Sequence, residues 1–215
     1  MAPSVEAYRV GLETGALEFA AYAAVVYCYH SFIMGRALPT LQKEMTLYCE
    51  GLAEIKQEIS LNYTLAFRQA TLNLTESSDD PGRLVGPGFD EAERILQAQR
   101  ANDRTGLCFY YFNKTVLYLI FDRPEAALAN AELARQYLDG VPALYVGPAC
   151  VFYDALARVA TIPQAPPAQR KTLLRQVRAA HQQLQAWAVH APHSYQQKAL
   201  LIQAELARVL NQPRE

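Results

Sequence analysis

No two of the four cysteines, Cys28, Cys49, Cys108 and Cys150, stand close enough in sequence to make a C-x-x-C. That excludes a zinc knuckle and a thioredoxin-like dithiol, and leaves buried free thiols in a reducing compartment as the expectation. Charge of either sign is also sparse: 19% of the residues are charged, and they cancel to a net −1. Binding nucleic acid demands a clustered basic face, so nucleic acid is not an expected partner. Long hydrophobic runs are missing too. The most apolar stretch, Phe19 to Met34, is short and interrupted by Tyr22, Tyr27, Tyr29 and His30, which excludes a bilayer span. The opening residues, MAPSVEAYRVGLETG, contain no apolar core of a secretory signal. A soluble, cytoplasmic protein with no membrane partner is expected.

Catalytic groups are equally thin. His190 and His193 lie three apart, but Pro192 breaks the helix that would align them, and no acidic third ligand is near. His30, among Tyr27, Tyr29 and Phe32, reads as a core histidine with a hydrogen-bond partner. Asp79 and Asp80 precede Pro81-Gly82, a setting for a turn rather than for acid/base work. The glycine-rich segment from Ser77 to Asp90 lacks a Gly-Lys-Ser/Thr ending and follows no strand, so it is not a P-loop. The basic cluster Arg170, Lys171, Arg175 and Arg178 reads as a solvated helix face. No metal, cofactor or enzymatic reaction is expected.

What the sequence does have is helical periodicity almost everywhere, with no alternating strand. A helix beginning near Gly15 has Ala16, Phe19, Ala20, Ala23 and Tyr27 as its packing face. After a turn at Gly35 to Pro39, a stripe of Leu38, Leu41, Met45, Tyr48, Leu52 and Ile55 predicts a second. Gln57 to Thr75 makes a third, burying Ile59, Tyr63, Ala66 and Ala70. Residues 77–90 form an irregular, mobile loop, and Asp90 caps a short helix through Ala101. Beyond Gly140, one helix ends at Thr161, with Val151, Phe152, Ala155, Leu156 and Val159 inward. The proline-rich linker at 162–167 leads to a helix burying Leu173, Val177, Ala180, Leu184 and Trp187. A last helix from about Ser194 buries Ala199, Ile202, Leu206 and Val209 before Pro213.

The stretch DRTGLCFYYFNKTVLYLIFDRPEAALANAELARQYLDG, Asp103 to Gly140, organises the rest. Its first helix carries Leu107, Tyr111, Tyr118 and Phe121 and is apolar enough to be buried on most faces. Asp122 is placed to cap the second helix, with Pro124 in its first turn and Glu125 completing a capping box. The second helix sets Ala127, Ala131, Ala134 and Leu138 on one close-packing face, and Gly140 ends it. An aromatic helix, a turn and a small-residue helix in about 34 residues make a tetratricopeptide-type repeat. The fold expected for 1–215 is a single all-α domain of antiparallel helix hairpins stacked as a tetratricopeptide-like α-α superhelix.

Several runs carry a resemblance over almost the whole chain, from Tyr8 to Leu210. They include AYRVGLETGALEFAAYAAVVYCYHSF, NYTLAFRQATLNL, VFYDALA and WAVHAPHSYQQKALLIQAELARVL. The most specific parts are Asp103-Arg104-Thr105, Tyr137-Leu138-Asp139-Gly140, Phe152-Tyr153-Asp154 and Ala191-Pro192. Together these resemble the helical, tetratricopeptide-like arm that follows the predicted ATPase region in large bacterial hybrid signalling kinases. Such chains combine a serine/threonine kinase, a STAND-type ATPase, a GAF domain and a sensor histidine kinase. Where that family usually has a Met-Asn pair and a His-Lys, this chain has His193-Ser194 and Gln197-Lys198. The resemblance implies a non-catalytic regulatory or scaffolding module, a piece of a longer protein. Its partner would be a protein or peptide, a neighbouring domain of the parent chain, or a second copy of itself. A concave face lined by the first helix of each pair would bind, through exposed Asn62, Arg68, Asn113, Lys114 and Asp154. The alternative is a small-molecule sensor with an apolar ligand enclosed by tyrosines.

Overall fold

Four turns in this chain are built alike, and they set its architecture. Each helix that ends at Ile33, Glu54, Arg100 or Ile120 is followed by a cap residue and then by one residue in the left-handed region. Those residues are Gly35, Lys56, Asn102 and Asp122. Each turn then closes with the same pair of backbone bonds, such as Asp103 N to Ala98 O at 2.8 Å and Asn102 N to Gln99 O at 3.2 Å. This is the Schellman motif, which satisfies the last carbonyls and reverses the chain. Asp122 is therefore the C-terminal stop of one helix rather than the cap of the next. The cap is Arg123, which makes no side-chain capping bond.

The computed structural model of the chain describes residues 2–76 and 80–210. Among them run α1 (Ala2–Thr14), α2 (Leu17–Ile33), α3 (Leu38–Glu54), α4 (Glu58–Thr75) and a two-residue-per-strand hairpin, β1 (Val85–Gly86) with β2 (Phe89–Asp90). Then follow α5 (Glu91–Arg100), α6 (Arg104–Ile120), α7 (Pro124–Arg135), a 3-10 turn (Leu138–Gly140), α8 (Val146–Thr161), α9 (Pro167–His190) and α10 (Pro192–Val209). The helices α2, α4, α6 and α8 pack side by side in one row, and α8 also touches α2. Helices α3 and α7 pack against this row, and α9 and α10 close the far end on α8. The result is a stack of helix hairpins of the tetratricopeptide-like kind, all-α apart from the small β hairpin.

The row is held together by aromatic rings. Phe67 on α4 and Phe109 on α6 meet edge to face at 5.2 Å, and Phe112 meets Tyr153 of α8 in the same way at 5.7 Å. Such pairs contribute about 0.5–1.5 kcal/mol each beyond the area they bury. Tyr153 packs against the core around α2, α4 and α6 and also against the core around α7 to α10. The alanine face of α7 behaves as its spacing requires, with Ala127, Ala131 and Ala134 all buried.

Several expectations need correcting. Helix α1 lies before the first expected helix. Its Gly11 is where α1 and α2 touch: an added Cβ would fall 2.9 Å from the Cβ of Ala20. Phe19 and Ile59, assigned inward, are 74% and 67% exposed. Helix α2 is apolar around most of its circumference, so periodicity alone did not select its inner face. Gly140 has no positive φ and ends a 3-10 turn; it is small because an added Cβ would lie 2.6 Å from the carbonyl carbon of Arg104.

The described part of the expected loop, residues 80–90, is pinned. Asn73 Nδ2 donates to the carbonyls of Pro81 and Arg83 at 2.9 and 2.6 Å, and Gln69 Nε2 donates to Val85 O at 3.1 Å. Leu84 and Phe89 are buried in the main core. Ser77, Ser78 and Asp79, and Pro213 near the carboxyl terminus, lie outside the described residues.

Candidate ligand groove

Two of the motifs behind the resemblance, Asp103-Arg104-Thr105 and Tyr137-Leu138-Asp139-Gly140, meet one another in space. Asp103 caps α6 by accepting from Gly106 N at 2.9 Å, and it accepts a second bond from the Tyr63 hydroxyl at 2.6 Å. Burial and this carboxylate push the Tyr63 phenol far above its usual range. Arg104 forks onto Asp139, Nη2 donating to Oδ1 at 2.6 Å and Nε to Oδ2 at 2.8 Å, and lies over the Tyr137 ring at 5.1 Å. Thr105 Oγ1 donates to Gly140 O at 2.5 Å. Asp103-Arg104-Thr105 is thus a clasp: it ties the start of α6 to α4 on one side and to the turn after α7 on the other.

The five residues expected to bind do not form a surface. Asn113 is 0% exposed and donates to Phe109 O at 3.0 Å within its own helix. Asp154 is buried against Arg158. Lys114 is mostly buried in an ion pair with Glu91, whose other oxygen accepts from Leu84 N at 2.7 Å. Arg68 donates to Thr46 Oγ1 at 3.0 Å and reaches Pro87 O at 3.4 Å, and Asn62 is half-buried on α4. The expectation of exposure fails at Asn113, Lys114 and Asp154 because each meets a neighbouring element: Asn113 is covered by the helices packed around α6, Lys114 is drawn to Glu91 of α5, and Asp154 lies beside Arg158 where α8 meets α7 and α9. Arg68 and Lys114 serve instead to hold the β hairpin.

The surface that remains open lies at the other end of the row, where α2, α4 and α6 begin. A groove of about 350 Å³ runs between them. Tyr22, Val25 and Tyr29 of α2 form one wall, Ile59 and Tyr63 of α4 the other, and Phe109 and Leu144 lie between. Two apolar side chains stand proud on its rim, Tyr22 at 59% exposure and Ile59 at 67%. Tyr29 at its base is buried, and its ring lies 5.8 Å from Phe109. Glu18, in the first turn of α2, is the one charged residue of the lining. Nothing in the helical periodicity pointed to Ile59. Tyr22 did carry a signal, as a bulky aromatic off the assigned packing face.

A second, wider depression of about 520 Å³ sits where the start of α8 meets α9 and α10, between Tyr145, Trp187 and Tyr195. Trp187 is half-buried there, 5.4 Å from Tyr195. His30 is also half-buried, between Tyr29 at 4.4 Å and Tyr145 at 5.8 Å, and its Nε2 lacks the hydrogen-bond partner expected for it.

The four thiols are buried and free, and burial pushes that of Cys49 up to about 12. Arg170 is tied back to the linker carbonyls of Pro163 and Ala165 at 2.9 and 2.7 Å. His190 and His193 are exposed. Among the described residues no cluster of three or more His, Cys, Asp or Glu is placed to hold a metal ion. Also among them, no helix is long and apolar enough to cross a membrane. No protein-family model, curated protein or solved structure matches this chain.

Proposed function

We propose that this chain is a non-catalytic helical-repeat module of the cytoplasm that regulates or scaffolds signalling by binding protein. The groove at the start of α2, α4 and α6 is its contact surface. The observation that carries the reading is the rim itself: Tyr22 and Ile59 hold bulky apolar surface in water at the mouth of a concavity with rigid aromatic walls. Exposed apolar surface gathered at a concave site is the ordinary mark of a protein or ligand contact. The rings of Tyr29, Phe67 and Phe109 pack on one another instead of ringing a void, which favours a surface groove over a sensor that swallows its ligand.

The occupant is a segment of another protein, or of a neighbouring domain if the chain belongs to a hybrid-kinase arm as its motifs suggest. Proximity labelling in the source cell, with the wild-type chain and with Tyr22→Asp and Ile59→Glu, tests this. A common set of proteins should lose its labelling in both variants while circular dichroism stays unchanged. Identical labelling for all three chains would remove the groove from consideration.

A further inference from the structure

We propose that the outer face of α9 is a second contact surface, which takes a short acidic segment of a partner protein. It is separate from the groove: no residue of α9 lines the groove, so neither reading depends on the other.

Charge is unevenly placed along this chain. No Asp or Glu occurs between Asp154 and Glu205, a stretch that includes all of α9. Arg170, Lys171, Arg175 and Arg178 give α9 four cations and no acid, while the rest of the chain carries 16 cations against 21 acids. Lys171, Arg175 and Arg178 stand four and three residues apart, so they share one face of the helix. Leu173, Val177 and Leu184 are buried on the other side, in the core shared with α8 and α10. All three cations of the stripe are exposed, and among the described residues no hydrogen bond or ion pair engages them. Arg170 alone is occupied, by the linker carbonyls.

The acids of the neighbouring helices do not answer the stripe. Asp154 of α8 holds Arg158, and Glu205 of α10 pairs with Arg208. Glu125 and Glu132 of α7 border a hollow beside Gln169, on the far side of α9 from Lys171. Arg9 and Arg208, also exposed on helices, each have a carboxylate three or four residues away. The stripe has none, so its like charges repel one another at helical spacing without relief.

Charge complementarity calls for an anion, and the extent of the stripe selects its kind. The stripe spans seven residues, about 10 Å. An acidic helix with carboxylates at the same four-three spacing matches it over that length, and each guanidinium can donate two hydrogen bonds to one carboxylate. A nucleic acid carries charge far beyond 10 Å and would run on over a body that is net negative. Helices that lie on anionic bilayers also bury bulky apolar side chains there, whereas the exposed neighbours of this stripe are Thr172, Ala179, Gln182 and Gln185.

The test is fluorescence anisotropy of a labelled helical peptide with glutamates at four-three spacing, titrated with the folded full chain. Parallel titrations use a single-stranded oligonucleotide and phosphatidylserine vesicles. The peptide should bind saturably and weaken about tenfold on the triple variant Lys171→Gln, Arg175→Gln, Arg178→Gln, the scale of three exposed charge pairs. A control triple, Lys43→Gln, Lys56→Gln, Arg100→Gln, removes as much charge from other exposed positions and should bind as wild type does. The α9 variant should be at least as stable as wild type in urea, because it relieves repulsion. Equal weakening in both triples would mean that binding follows net charge, and overturns the proposal. Weaker binding accompanied by lost stability would assign the cations to the fold and overturn it as well. A peptide that fails to bind, with the oligonucleotide or vesicles binding in its place or with nothing binding, rules out an acidic segment.

Discussion

Arg158 turns back one helical turn along α8 to Asp154, its Nε donating to Oδ2 at 2.9 Å, with 1% of the arginine exposed. The second approach, Nη2 to Oδ1 at 2.9 Å, is an ionic contact off the hydrogen-bond line. Nη1 donates to Gln176 of α9 at 2.8 Å and stands 3.4 Å from Glu132 of α7. One buried guanidinium therefore holds three successive helices in register.

Removing one member of a buried ion pair leaves the other charge without compensation, at a cost of about 3–5 kcal/mol. Asp154→Ala is expected to lower stability by that amount in urea unfolding. Replacing both, as Asp154→Leu with Arg158→Met, should recover most of it, because an apolar pair of similar volume strands no charge. A double variant as unstable as the single would show that the cluster acts through shape rather than charge.

Gly140→Ala is the second test. Its Cβ would meet the backbone of Arg104 and Thr105 at 2.6 and 2.8 Å, and backbone cannot swing aside as a side-chain tip can. Overpacking of this kind costs about 1–3 kcal/mol. Hydrogen exchange should quicken first at the amides of the 3-10 turn and the opening turn of α6. Unchanged exchange there would mean that the turn moves away freely.

The stacking was legible because alanines at 127, 131 and 134 and the stripe at Leu41, Met45 and Leu52 leave a helix no other face to bury. The site was not. Asn113 and Asp154 are polar residues on amphipathic helices, and periodicity assigns such residues to solvent. Only the packing of neighbouring helices, a tertiary property, reverses that. Asn73 and Gln69 were equally hidden, because an amide that holds a loop's backbone looks in sequence like any helix surface residue. Phe19 and Ile59 failed the other way: large apolar side chains are assigned to the core unless a neighbour is known to be missing.

Stability should fall on mild acidification. Burial lowers the pKa of His30 and of His181 below the usual 6.5, and the Nε2 of each has no hydrogen-bond partner. A depressed folded-state pKa means that the unfolded chain takes up protons first. The contribution is complete above about pH 6.5 and is lost as pH falls through the folded values. The lowered carboxylates of Glu6 and Asp139 act only in a more acid range. The urea midpoint should therefore drop between about pH 7 and pH 5, and His30→Gln should flatten part of the drop. An equal slope in wild type and His30→Gln would clear His30 of any share.

Lys56 offers the sharpest test of the repeated turn. It holds the same left-handed position as Gly35, Asn102 and Asp122, with φ of 56°, yet lacks the short polar side chain that eases this conformation. Left-handed backbone costs a residue with a Cβ about 1–2 kcal/mol, while glycine adds about 0.5–1 kcal/mol of unfolded-state entropy. The first term exceeds the second, so Lys56→Gly should stabilise the chain by about 0.5–1 kcal/mol and raise its melting temperature. Asn102→Gly, where the native residue already tolerates the turn, should gain less. Because Lys56 is exposed and, among the described residues, no hydrogen bond or ion pair engages its side chain, the comparison isolates the backbone. A Lys56→Gly variant no more stable than wild type would show that the turn after α3 is relaxed in a way its dihedral does not reveal.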